Sequence, residues 1–383
     1  QMAQSVVKLR KALDPGVATI DDIPPFDLAL AHQLHQTILA PVQSALQNKK
    51  VLLAVPHGEL GQLPLSLLVT KNAAATTKAK GSDFSEYRQV AWLAKDIAVT
   101  QLPSVTALAS LRNLPPAPSG RRPFIGFGDP YFSMVQAKQD ENKTALASSK
   151  AVAMRGVPLN LRSAPKTSGV SSAELALLPR LPDTKDEIEQ IGKALAADPQ
   201  QDIFLERAAS VSKVMEVDLS NRQVVMFATH GLIPGELDGL TQPALALSAP
   251  DVTGETQGDG LLTMEKILTL KLNADWVVLS ACNTASGEGA GSEAVSGLGR
   301  AFFYAGARAL LVSNWPVDSE ASRMLMTDLF KRQQATHGRH KALYLQEAML
   351  EMIQNASAKE STGKVKYTYA HPLFWAPFVV VGD

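Results

Sequence analysis

QVVMFATHG at 223–231 and WVVLSACNTASGEGAG at 276–291 decide how this chain is built. Each opens as a short, unbroken apolar run rich in valine and closes on small residues, the pattern of a strand buried on both faces of a parallel sheet. Between them LTMEKILTL (262–270) has the apolar spacing of a helix, with Thr263 as its cap. The two runs therefore read as neighbouring strands joined by a crossover.

Working outward, the alternation continues. On the amino-terminal side, Thr184 with Glu187 reads as a capping box opening a helix whose face is Ile188, Ile191 and Leu195; DIFLE (202–206) follows as a strand and SVSKVMEV as a helix. On the carboxyl-terminal side come a helix over SEAVSGLGRAFFYAG, a strand in ARALLVSNW, a helix over SEASRMLMTDLF, a further helix at about 341–354, and a closing strand in WAPFVVVGD. Earlier still, a helix from Asp27 to Pro41, strands at 51–55 and 97–102, and a helix in SVTALASLRNL precede LPPAPSGRRP (114–123), a linker by composition. The tract 134–180 carries little pattern and reads as an exposed loop, and residues 1–24 read as polar and loop-like. Strands alternating with helices predict an α/β fold: a mainly parallel sheet with helices on both faces, preceded by a smaller front lobe. The expected division is 1–45, a helical or linker region continuing from domains upstream; 46–120, the front lobe; and 121–383, the main lobe.

Composition narrows the function. Apolar residues make up 45% and charged residues 19%, a balance that folds. Thirty-seven basic residues against thirty-seven acidic ones, with no basic stripe, give no footprint for nucleic acid. Neither a membrane-spanning run nor a signal peptide is visible, so a cytoplasmic protein is expected. A single cysteine excludes an internal disulfide framework and any multi-thiolate metal site. No metal or organic cofactor is expected. The start at Gln1 reads as that of a fragment of a longer protein.

The chemistry gathers at the strand ends, because loops leaving the carboxyl edge of a parallel sheet open a crevice there. One strand runs into His230-Gly231 and the other into Cys282. A lone strand-end cysteine is ordinarily a small core residue. A thiol beside an imidazole that takes or balances its proton is instead a nucleophile. The backbone N–H groups of Gly231 and Cys282 then supply a candidate oxyanion hole. Asp318, three residues after the ARALLVSNW strand, admits two roles of equal weight: cap of the following helix, or receptor of a basic side chain before a cut. Asp259 and Glu320 are its substitutes in the second role. GEGAG at 287–291 starts too late after its strand for a dinucleotide fingerprint and lacks the Lys of a phosphate loop. His57 and His371 read as structural.

FATHG, GDGLLTMEKI, WVVLSACNTASGEGAG, GLGRAFFYAGARALLVSNWPVDSEAS and HPLFWAPFVVVGD, in that order, resemble the CHAT domain, a caspase-like cysteine peptidase domain related to separases and gingipains and often joined to tetratricopeptide repeats. LLAVPHGELGQLPLSLL, LPSVTALASLR and FIGFGDP resemble its weaker front half, so that the likeness covers roughly 30–383. The resemblance implies His230 as general base, Cys282 as nucleophile, a thioester intermediate and no third orienting acid. Asn283 and Asn314 depart from the commonest family pattern. The expected function is cleavage of a protein substrate, after a basic residue and under control of upstream repeats or a regulatory partner. The alternatives are a catalytically silent scaffold and, more distantly, a nucleotide switch.

Overall fold

The structure is a computed structural model, and it describes residues 2–72, 83–143, 159, 175–232, 234–237, 240–255, 258–280, 290–336, 338–360 and 362–383. Two compact units are present: Leu114–Met154 with Arg162–Ser313, and Gln1–Asn113 with Arg155–Leu161 and Asn314–Asp383.

In the unit built on 114–313, five strands lie side by side in the order Ala309–Ser313, Trp276–Leu279, Arg222–Ala228, Arg122–Gly128 and Ile203–Leu205. Every neighbouring pair is parallel. The expected adjacency of the two deciding strands is observed, with Val224 opposite Trp276 and Phe227 opposite Leu279. Their residues are buried almost without a break, as strands covered on both faces must be.

Helices cover both faces, and the reason is local. Gly126 and Gly128 point the same way from their strand, and a Cβ added at Gly128 would meet Ile188 Cδ1 at 2.4 Å. Glycine there lets the helix Asp183–Ala194 lie close to the sheet. Side chains alternate along a strand, so Phe127 faces the other way, stacking on Phe227 at 5.4 Å between centroids. Phe227 in turn contacts Phe302 of the helix Ala290–Ala305 at 5.8 Å. A small antiparallel sheet of Gly231–Leu232, Ala244–Ala246 and Leu261–Thr263 leads off the His230 strand.

The other unit holds three parallel strands, Val51–Ala54, Ala98–Gln101 and Phe378–Gly382. Thr100 sits between neighbours and donates its hydroxyl to the carbonyls of Val380 and Gly382. Trp92 packs edge-on to Trp375 at 5.3 Å, and Trp315 donates its indole N–H to the Leu373 carbonyl. A boundary between the units falls at 113/114, and residues 314–383 group with the front of the chain. The cause is the pairing of the last strand with Ala98–Gln101, a contact between positions nearly 280 apart.

Three local readings differ from the structure. Residues Met2–Arg10 form a helix that buries Val6 and Leu9, where a polar loop was expected. The start of the 134–180 tract is the helix Met134–Lys143, and Leu175–Leu177 is a turn of 3-10 helix. Residues 144–158 and 160–174 of that tract lie outside the described residues. Thr184 and Glu187 do not form a capping box: the helix is preceded by Pro182, with no side-chain cap. Both side chains are drawn instead to partners at the sheet edge. Thr184 accepts from the Asp129 N–H and donates to the Leu181 carbonyl, while Glu187 accepts from the Ser280 hydroxyl.

Candidate active site

His230 follows the strand Arg222–Ala228 by two residues and is fully buried. Its position is held from three sides. The His230 carbonyl accepts from the Ala246 N–H at 2.9 Å, the Phe132 ring lies 5.4 Å away, and Nε2 lies 2.7 Å from the carbonyl oxygen of Pro179. A carbonyl only accepts, so Nε2 carries the proton, and in the neutral ring the basic lone pair is at Nδ1. The backbone of Pro179 thus sets the orientation of the ring.

Pro179 belongs to a short pinned segment. Leu178 offers its carbonyl to Gln136 Nε2 at 2.7 Å, and Leu181 offers its own to Thr184. Between them Arg180 reaches Asp129 through two parallel bonds of 2.8 and 2.6 Å, Asp140 at 2.7 Å and, more loosely, Glu206 at 3.7 Å. Its guanidinium lies 4.7 Å above the Tyr131 ring, and the Tyr131 hydroxyl donates to Asp140. Burial, opposed by the bonds from Arg180, pushes the Asp129 carboxyl up to about 6. Burial also lowers Arg180, but the bonds from Asp129 and Asp140 outweigh it and hold the guanidinium more firmly protonated than usual. At neutral pH the guanidinium is charged and the Asp129 carboxyl is mostly ionised.

Gly231 is the first residue of the strand Gly231–Leu232 and lies opposite Leu245. The bond from Ala246 to His230 sets the phase of this antiparallel ladder and makes Gly231 and Leu245 a pair without mutual hydrogen bonds. The Gly231 N–H is therefore directed away from the 244–246 strand.

Cys282 and Asn283 lie outside the described residues, as do 287–289 of the glycine-rich run. The strand that leads to Cys282 is described as far as Ser280, whose hydroxyl donates to the fully buried Glu187 at 2.9 Å. Of the acids expected to meet a basic side chain, Asp318 is 5% exposed and its Oδ1 accepts from the Ala321 N–H at 2.9 Å, capping the helix Ser319–Ala335. Glu320 pairs with Arg323, and Asp259 pairs with Lys266 at 2.7 Å. His57 is exposed and precedes the 3-10 helix Gly58–Gln62. His371 is buried among Phe84 and Tyr87, and burial drives its pKa down to about 3, as fits a neutral packing residue. Asn314 donates to the Pro377 carbonyl. Among the described residues no group of three or more His, Cys, Asp or Glu is placed to hold a metal ion, and no helix is long and apolar enough to cross a membrane.

Sequence reasoning missed the Pro179 carbonyl and the Arg180 cluster. A carbonyl has no residue type to betray it, and Arg180 meets Asp129 across 51 positions. The only trace was a charged LPRLPD segment ahead of a helix.

The fold and site define an α/β domain with a mainly parallel sheet that delivers a buried, backbone-oriented histidine to its carboxyl edge. The chain belongs to the CHAT domain family, whose profile matches residues 28–383. Two curated relatives are both tetratricopeptide repeat protein 28. The Mus musculus protein is 33% identical over 123 residues, 32% of this chain and 4% of its own length. That of Homo sapiens is 24% identical over 383 residues, 91% of this chain and 13% of its own length. The chain therefore spans a small part of these relatives. Among solved structures, the Arg-specific cysteine proteinase gingipain R is 10% identical, with a TM-score of 0.42, over 100% of this chain and 74% of that one.

Proposed function

We propose that the chain is a cysteine endopeptidase working through His230 and Cys282. The observation that carries this reading is the register of the two central strands: Phe227 lies opposite Leu279, and each is followed three residues later by one member of the pair, His230 and Cys282. The family membership and the orientation of the imidazole support it further. In the reaction, the Cys282 sulfur attacks the scissile carbonyl carbon while its proton passes to Nδ1 of His230. That proton then goes to the leaving amine nitrogen as the peptide bond breaks, leaving a thioester. Water, deprotonated by the same nitrogen, hydrolyses the thioester and returns the thiol. The N–H groups of Gly231 and Cys282 are the proposed donors to the oxyanion.

The substrate is a protein, and regulation by upstream repeats or a partner is part of the proposal, in keeping with tetratricopeptide repeat relatives. A basic residue before the cut is part of the proposal too, and with Asp318 capping a helix its proposed receptors are Asp259 and Glu320. Turnover of a peptide library by Cys282→Ala, His230→Ala and the double variant tests the dyad. Each single change is expected to cost at least ~10³-fold, and the double change little more, because the two groups act as one. Full activity in Cys282→Ala would end this reading, and a parent without turnover would favour a silent scaffold.

A further inference from the structure

We propose that Arg180 is a positioning residue, clamped between Asp129 and Asp140 so that the adjoining Pro179 carbonyl fixes the His230 ring with Nδ1 as its basic nitrogen. The inference deepens the proposed peptidase reading and rests on it for its catalytic meaning, though not for its structural content.

An energetic oddity lies at Asp129. Asp129 is fully buried, at the carboxyl end of the strand Arg122–Gly128, and it has φ 50°, a left-handed conformation unusual outside glycine. A buried carboxylate and a strained backbone both cost stability, and such features persist where surrounding contacts impose them. Here the contacts converge on one guanidinium. The fork of Arg180 matches the Asp129 carboxylate with two bonds, a geometry that fixes direction as well as distance. Asp140 takes the opposite side, itself held by the Tyr131 hydroxyl, whose ring lies beneath the guanidinium. Glu206, at the end of the neighbouring strand, closes the ring of charge, and Lys185 at 3.1 Å balances it.

Arg180 is one peptide unit from the carbonyl that binds Nε2. With its side chain fixed to two carboxylates, the Pro179–Arg180 peptide has little freedom to rotate the carbonyl away. The bonds at Leu178 and Leu181 hold the flanks but leave the rotation of this peptide to Arg180. A tethered loop with no such residue would keep its path, yet let the imidazole exchange tautomers. The proton would then occupy the nitrogen that must accept one.

The test reads His230 itself. In protein labelled with 15N-histidine, the parent is expected to show His230 as the Nε2–H tautomer, assigned by its loss in His230→Asn. Arg180→Gln should lower the ratio of Nε2–H to Nδ1–H by about 5- to 10-fold, the size of one net hydrogen bond. Arg180→Lys, which keeps the charge but not the fork, should recover part of it. Turnover should follow through kcat, with KM little changed. If Arg180→Gln does not fold, Asp140→Asn at a partly exposed carboxylate carries the same test with a smaller shift. An unchanged tautomer ratio in a folded variant overturns the proposal. Failure of the peptidase reading would show separately, as a parent without turnover whose tautomer still responds to Arg180.

Discussion

Asp318→Ala is expected to destabilise the chain by about 1–2 kcal/mol, the upper half of the range for losing a helix cap. The upper half applies because Asp318 is 5% exposed and its Oδ1 is 2.9 Å from the Ala321 N–H, so that donor would be left buried without this acceptor. Asp318→Asn keeps an oxygen in the same place and caps about as well, losing only the attraction of a carboxylate to the helix amino terminus, about 0.3–1 kcal/mol. Urea unfolding reads the difference. With a slope of roughly 2–3 kcal/mol per molar, the alanine midpoint should fall by about 0.3–1 M and the asparagine midpoint by less. The same two proteins decide specificity, since the cap account predicts that Asp318→Asn cuts after Arg, Lys and neutral residues in the parent's proportions. An Asp318→Asn protein of parental stability that lost its cleavage after basic residues by 30-fold or more would refute it. A loss of that size is about 2 kcal/mol, expected for a desolvated charge pair.

Gly306 has φ 111°, and a Cβ there would meet the Leu272 carbonyl oxygen at 2.2 Å, so Gly306→Ala should cost more than about 2 kcal/mol in a thermal or urea melt. Asp202 is buried between Arg122 and Arg222; Asp202→Ala is expected to lose about 3–5 kcal/mol, whereas replacing Asp202 and Arg222 together by apolar residues should lose less, a contrast readable in a double-mutant cycle. Asp129 is raised to about 6 against an unfolded value near 4, so its folded form binds the extra proton. Its contribution to stability is therefore present below about pH 4 and lost as pH rises through about 6, roughly 2–3 kcal/mol in all. The parent should accordingly lose stability relative to Asp129→Asn over that window, measured as parallel denaturation series.

Much of this was written in the local pattern. The continuous apolar runs at 223–230 and 276–282 could only be strands covered on both sides, and their termini announced where chemistry gathers. What local pattern does not encode is competition from distant partners. Thr184 and Glu187 have the spacing of a capping box, but the Asp129 N–H and the Ser280 hydroxyl claim their side chains once the sheet forms. Long parallel pairing is equally silent in sequence, which is why residues 314–383 join the front unit through the strand Phe378–Gly382. The helix Met2–Arg10 has only Val6 and Leu9 to mark its buried side, too few to be told from a polar loop. The orientation of His230 rests on a backbone carbonyl in a tract that reads from sequence as an exposed loop.

The central claim, that His230 activates Cys282, is tested most directly by a peptidyl electrophile and intact-protein mass. The chain has one cysteine, so a single added mass that vanishes in Cys282→Ala assigns the site without further mapping. The account predicts stoichiometric labelling of the parent at neutral pH and a rate at least ~10²-fold slower in His230→Ala, the usual contribution of a positioned base. A parent that resists the reagent, or a His230→Ala protein labelled as fast as the parent, would contradict it.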